Sequence, residues 1–538
     1  MADGIGRASA LLASGTLVSR LLGFVKAALV ANIIGLGIVG NAFGVANQLP
    51  NTIYVIIGGG VLSAVLVPQI VKASIHVDGG NAYINKLVTI TLVFIGGATV
   101  LATLIAPVFV FAAAATLPAD QFALATAFAF WCLPQILFYA LYTVLGEVLN
   151  ARKMFGPFTW APVFNNVVAI AGLALFVFLF GSETPKFSEW TPSMTAVIGG
   201  SATLGVVVQA FFLMFFWRRA GLRFRPDFHW RGVGLRATGK IASWTFGMLI
   251  LTTAAGLIET QAVASASGQG PSVIALQNAW LIFMLPHSII TVSVATAYFT
   301  RMSEHGQGTR DRGADLVSLR SDVSAAVRVV SLLIVLASVV IMVVAVPFAS
   351  VFAKTTDESI SLGVVIIAFV LGLVPFCILF ILQRAFYALG DTKTPFFYTL
   401  FQTLLFILLA LIVVMTVPKE LLGAGVALAI TVAGLAQAVI ATWLLRRRLG
   451  GLELRKVIPS LLRYAAAALP AAAVGVVVLL LLGGVSEGGF TTSSIPSAIA
   501  TMAIIGSVMG AVYLVMLALM RTPELKAALA PVLSRFGR

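Results

Sequence analysis

An all-α polytopic membrane protein of about 14 transmembrane helices is the fold this sequence predicts, and three observations carry it. Hydrophobic residues make up 60% of the 538 positions, and only 10% are charged. Mean hydropathy is +1.05. Apolar windows of roughly 20 residues, the length that crosses a ~30 Å hydrocarbon slab, recur from end to end. No water-soluble chain of this size needs so much apolar surface. The two cysteines, Cys132 and Cys377, fall inside apolar stretches. They read as small buried hydrophobes, not as a disulfide or metal framework.

The windows fall near 9–34, 39–71, 87–115, 121–149, 160–181, 195–217 and 240–264. They continue near 273–300, 324–353, 359–389, 395–417, 421–445, 461–483 and 495–520. The first 15 residues loosely resemble a signal peptide, but the apolar stretch runs past Arg20 to Ile34 and is long enough to span. An even number of spans puts both termini on one side. Of the 34 Lys and Arg residues, only Lys186, Lys354 and Lys419 fall in loops on the opposite side, so the termini are expected to be cytoplasmic. The net charge of +15 is then mostly topology and contact with anionic membrane lipids. No nucleic-acid partner is expected, because the basic stretch Arg218–Lys240 matches no binding motif.

The chain repeats itself. Gly15, Ser19 and Gly23 open the first span, and Gly239, Ser243 and Gly247 open the seventh with the same spacing. Pro134 lies 16 residues before Asn150 and 18 before Arg152, as Pro375 lies before Asp391 and Lys393. The expected organisation is an N-terminal six-helix lobe (1–220), a basic cytoplasmic linker (221–240), a second six-helix lobe (241–448), and two C-terminal helices with a cytoplasmic tail (449–538). Paired lobes around a central cavity are a common transporter design.

Two cations, Arg20 and Lys26, sit in the middle of the first span. A charge at mid-bilayer costs about 2.5–3.5 kcal/mol on insertion scales, so it faces a partner or a wet cavity. A cationic cavity points to anionic cargo. The competing readings are a structural ion pair for Arg20 and snorkelling toward an interface for Lys26. In the second span Pro50 and the run Gly58, Gly59, Gly60 weaken the helix, as a cavity wall with irregular backbone requires. Gly15, Ser19 and Gly23 read as a close-packing face. Glu259 is the one acid placed well inside a window, and is a candidate for coupling a proton or sodium ion; a hydrated residue at the outer mouth of its span is the alternative. Asn150, Arg152, Asp391 and Lys393 sit at equivalent corners, as gating ion pairs or as ordinary turns. The four histidines show no metal-ligand spacing, and no Walker loop is present, so no enzyme is expected.

Five stretches resemble one family: Ser19–Gly35, Asn41–Asn51, Gly59–Pro68, Leu133–Asn166 and Gln383–Phe396. They are similar to the MurJ (MviN) family, proposed lipid II flippases within the superfamily of MATE and polysaccharide exporters. The resemblance implies a two-lobed bundle in a bacterial plasma membrane and a central cavity. It implies Arg20 and Lys26 meeting the diphosphate of an undecaprenyl-diphosphate-linked peptidoglycan precursor, and a groove for the prenyl tail on the last two helices. No cofactor is expected beyond a coupling cation (H+ or Na+) or the membrane potential, and nothing calls for a partner chain, so a monomer is expected. The chain departs from relatives that carry Asp, Arg, Arg and an acid where it has Asn41, Tyr54, Leu281 and Gly59. Cargo contact is therefore expected to lean on Arg20, Lys26 and the neutral groups Asn41, Asn51 and Tyr54. The alternatives are a MATE-like or polysaccharide-lipid exporter with another cargo, and a membrane partner of a glycosyltransferase with no transport of its own.

Overall fold

The computed structural model describes residues 2–56, 80–152, 154–229, 239–307, 315–486 and 488–525. Among them there is no strand. Thirteen helical stretches are long and apolar enough to cross a membrane. Their exposed side chains are those of a lipid-facing surface: Phe178 is 84% exposed and Leu481 81%, which water would penalise and acyl chains do not. The one window without a counterpart among the thirteen is 39–71, because residues 57–79, Gly58, Gly59 and Gly60 included, lie outside the described residues.

The described residues divide into two compact units. The first holds Met1–Gly268 and Ser272–Ile274. Its helices are α1 (Ala2–Ile34), α2 (Ile38–Tyr54), α3 (Asn81–Ile90), α4 (Gly96–Leu104), α5 (Ala106–Ala114), α6 (Ala119–Cys132), α7 (Gln135–Ala151), α8 (Phe155–Phe180), α9 (Pro192–Met214) and α10 (Gly239–Ala264). The second holds Gln269–Pro271 and Ala275–Arg538. Its helices are α11 (Val273–Pro286, whose first two residues belong to the first unit), α12 (Val292–Gln307), α13 (Leu316–Val343), α14 (Ala345–Ala349), α15 (Thr356–Val370), α16 (Leu373–Ala388), α17 (Lys393–Thr416), α18 (Leu422–Arg448), α19 (Leu454–Leu481) and α20 (Ile495–Leu519).

Several spans are broken, and the breaks recur. Ala119–Ala151 and Thr356–Ala388 are each 33 residues long and each interrupted near the middle. Pro134 sits at the first break, where its missing N–H cannot continue a helix ladder, and Pro375 lies just inside α16 after the second. Ile105 (φ −101°, ψ 28°) and Val344 (φ −96°, ψ 17°) break two further spans with nearly the same backbone turn. Leu49-Pro50-Asn51-Thr52-Ile53 and Leu285-Pro286-His287-Ser288-Ile289 also share a pattern. The second leads into a π-helical turn at His287–Thr291, and the first into π-type residues at 55–56. A π turn frees backbone groups locally and is often found where a helix carries function.

In the first unit, Leu141, Val144, Leu145 and Val148 of α7 pack against Ile84 and Leu87 of α3 and Leu213 of α9. The chain after α9 is strapped across α3: Arg223 N–H donates to Asn81 (3.3 Å) and Asp227 N–H to Thr89 (3.0 Å). The His229 N–H and the Lys86 ammonium hold the Asp227 carboxyl below its usual range. In the second unit α19 presents Tyr464, Ala467, Ala468 and Ala471 to Leu332 and Val335 of α13 and to Ile505 and Met509 of α20. The two C-terminal helices are thus docked on α13.

Helices α8 and α9 run in close contact, which Gly172 against Ser201 and Gly205 against Asn165 allow. A Cβ on Gly205 would stand 2.8 Å from the Asn165 carbonyl oxygen, which is backbone and cannot swing aside. Gly205→Ala is expected to cost about 1–3 kcal/mol through overpacking. A lower melting temperature in detergent micelles is the readout; an unchanged one would show that the helices separate freely.

Candidate functional site

The first helix decides where its two cations go. Gly15 and Gly23 face α8: a Cβ on Gly15 would lie 2.9 Å from the Trp160 indole nitrogen, and one on Gly23 3.7 Å from Asn166. Between them the Ser19 carbonyl accepts 2.9 Å from the Asn166 amide. At about 100° per residue, Lys26 falls inside this small-residue stripe, and Arg20 lies about 120° from Lys26 around the helix. Arg20 is accordingly exposed and Lys26 half-buried. Among the described residues neither has a carboxylate within 4.0 Å. The remaining flank, Leu17 (51% exposed), Leu21 (59%) and Val25 (45%), is apolar and suited to lipid.

On α2 the neutral candidates part company. Asn41 is fully buried, and its amide is used inside the unit. Its Nδ2 donates to the Ser267 hydroxyl (2.8 Å), and its Oδ1 accepts from the Val273 N–H (3.0 Å). It ties the start of α2 to the chain following α10. Asn51 is exposed, and Pro50, one residue before it, is buried within the helix. The Tyr54 hydroxyl donates to Thr143 of α7 at 2.8 Å, and its ring lies 6.2 Å from that of Tyr139. Tyr139 donates to Gln135 (3.1 Å), which donates to Thr203 of α9 (3.0 Å). A neutral polar line therefore crosses from α2 through α7 to α9, where no sequence signal had placed one.

Glu259 is half-buried on α10 and has no cation within 4.0 Å among the described residues. Its neighbours fix the helix: Thr260 donates to Gln48 of α2 (3.3 Å), and Gln261 to the Ala112 carbonyl of α5 (2.7 Å). At the corners, Asp391 caps α17 by accepting from the Thr394 N–H (2.9 Å) and hydroxyl (2.7 Å). Lys393 lies 5.9 Å from the Phe397 ring centroid. Asn150 lies in the last turn of α7, and Arg152, half-buried, caps its C-terminal end.

Two features went unread in the sequence. Asp322, inside α13 and 2% exposed, is a further acid within a span, as is the half-buried Glu147 of α7, so Glu259 is not the sole one. Asp322 pairs with Arg301 (2.6 Å) and His305 (2.8 Å) of α12. Its place near the start of a long apolar helix put it just outside the window 324–353. The other is the Leu-Pro-Asn/His pair of motifs: His287, 4% exposed, lies 3.5 Å from the Cys377 sulfur of α16. Comparing the two Leu-Pro dipeptides would have found it.

Removing Asn41 tests the structural tie. Asn41→Ala leaves the buried Val273 N–H without an acceptor, at a cost of about 1–3 kcal/mol. The melting temperature in micelles is expected to fall. An unchanged value would return Asn41 to the set of surface-facing groups.

The family model described as "Lipid II flippase MurJ" matches residues 30–500. That stretch begins after Lys26, so it rests on the body of the chain and not on the two cations. A Rickettsia prowazekii protein described as "Probable lipid II flippase MurJ" is 26% identical over 411 residues, 74% of this chain and 76% of that relative. Among solved structures, a lipid II flippase MurJ in an inward closed conformation superposes with TM-score 0.71 at 19% identity, over 93% of this chain and 98% of the other. An inward-facing multidrug MATE transporter of the MOP superfamily reaches 0.55 at 17%, over 82% and 93%. The second likeness covers less and fits less well, and the long family match is decisive: this chain belongs to the MurJ family of lipid II flippases.

Proposed function

We propose that the protein carries lipid II, an undecaprenyl-diphosphate-linked peptidoglycan precursor, from the cytoplasmic to the outer leaflet of a bacterial plasma membrane by alternating access, with both termini cytoplasmic. The observation that carries this reading is the pair Arg20 and Lys26, two cations in one membrane helix without an acid beside them among the described residues. A cation exporter would need the reverse, acids in its cavity.

No bond is made or broken in such a cycle. The protein's task is to lower the cost of taking a diphosphate through an apolar slab. Arg20 offers a planar fork of N–H donors to phosphate oxygens, and Lys26 a mobile point charge. Six residues separate them by about 9 Å along the axis, so they grip in succession or at two points of one head group. Asn51 and Tyr54 add neutral hydrogen bonds for the sugars. Asn41 supports this arrangement from within the bundle. The basic segments outside the membrane contact anionic lipids, and the protein acts as a monomer. Flipping measured in proteoliposomes tests the reading: Arg20→Ala is expected to slow lipid II movement by about tenfold or more, the value of a charge-assisted pair. Wild-type protein that moves no lipid II would overturn it.

Uphill or directional transport needs an energy source, and one charge crossing 100 mV is worth about 2.3 kcal/mol. We assign coupling to Glu259, as a proton carrier or sodium ligand, because it is an acid in a span without a cation within 4.0 Å among the described residues. Glu259→Gln is expected to leave downhill exchange intact and to abolish the response to an imposed potential or proton gradient. A response equal to wild type would remove Glu259 from the mechanism.

A further inference from the structure

The second unit contains a membrane-span guanidinium that no acid among the described residues answers. Arg384 lies on α16, four residues before its end at Ala388, and is half-buried. Among the described residues no carboxylate comes within 4.0 Å of it. The buried acid of the adjacent helices, Asp322, is already shared by Arg301 and His305.

Aromatic rings hold Arg384 instead. Its guanidinium carbon lies 4.8 Å from the Phe380 ring centroid and 5.4 Å from that of Phe299 on α12. Both are inside the ~6 Å reach of a cation–π contact. Phe380 is itself fixed, edge-on to His287 at 5.0 Å and 88°. His287 is held in turn by Phe376 (4.8 Å) and by the Cys377 sulfur (3.5 Å). A guanidinium gripped by π faces keeps its N–H fork for a planar or tetrahedral oxyanion, and loses little freedom on binding one. The favourable dipole at a helix C-terminus explains why a cation is tolerated there, but makes no use of the fork.

We propose that Arg384 is a cargo-binding residue of the second unit, taking phosphate oxygens of the lipid-linked diphosphate at the end of α16 that the proposed topology makes cytoplasmic. This inference rests on the lipid II reading above. The same phosphate chemistry is offered by bilayer headgroups, so the experiment must separate the two sources.

The test is equilibrium binding to the full-length chain in neutral detergent, with lipid II and phosphatidylglycerol as separate probes. Arg384→Gln is expected to weaken lipid II binding by about tenfold or more, as for loss of a bidentate charge-assisted pair. Arg384→Lys, which keeps the charge without the fork, should fall between, and Phe380→Leu should weaken binding less than Arg384→Gln. Phosphatidylglycerol binding should be unchanged. Lipid II binding equal to wild type in Arg384→Gln would overturn the proposal, as would an equal loss of phosphatidylglycerol binding, which marks a headgroup site. Should Arg384→Gln not fold, Arg384→Lys decides: full wild-type affinity for lipid II refutes the fork. Wild-type protein that binds lipid II through Arg384 yet moves none in proteoliposomes would sink the flippase reading and leave this one standing.

Discussion

A bilayer core cannot hydrate a charge, and that constraint sorts the ionisable groups of this protein into two kinds. Some are answered locally. Asp322 is closed by Arg301 and His305, and Glu524, after α20, pairs with Arg328 of α13 at 2.9 Å. These pairs pin helices to one another, and breaking one would strand a buried charge. Others, Arg20, Lys26, Glu259 and Arg384, have no oppositely charged side chain within 4.0 Å among the described residues. Such groups in a span characteristically face the bundle interior or a water-filled cavity, and are candidates for ligand or ion contact.

The same constraint governs the backbone. A continuous helix satisfies its own amides, so each interruption in a span needs a reason. Here the interruptions recur at matched places: prolines near the middle of the two 33-residue spans, and Leu-Pro before π-type turns. In the second unit the π turn places His287 against Cys377 and the ring of Phe380. A regular helix would rotate the residues beyond Pro286 off that face. The irregular backbone thus positions the aromatic clamp, and the clamp positions Arg384.

How much of this was legible in the residues follows from the range of each interaction. Hydropathy is a local sum, so the spans could be read directly; thirteen of the fourteen windows have a helical counterpart, and the other runs beyond the described residues. The small-residue spacing of Gly15, Ser19 and Gly23 is also local. The partner of a polar side chain is not. Nothing near Asn41 in sequence reveals Ser267 and Val273, and nothing near Tyr54 reveals Thr143. Those pairings join residues far apart in the chain, and only the folded packing of α2 supplies them. Asp322 was missed for a simpler reason, since an acid at the edge of an apolar window looks like a loop residue until its helix extends past it.

The charge economy of the family can be met in more than one way. Where the family resemblance implies arginine, this chain has Tyr54 and Leu281. Tyr54 restores a hydrogen-bonding group but is tied to Thr143, so it contributes orientation more than attraction. Leu281 restores nothing polar. Attraction for a diphosphate must then come from cations elsewhere, and a guanidinium serves better than an ammonium, because two parallel hydrogen bonds recover more of the lost hydration. On the proposed reading Arg20 meets that demand in the first unit, at an exposed position on α1, and Arg384 in the second, at an aromatic-clamped position on α16. A guanidinium mounted rigidly, with no carboxylate within 4.0 Å among the described residues, as at Arg384, suits an anion through position as much as through charge.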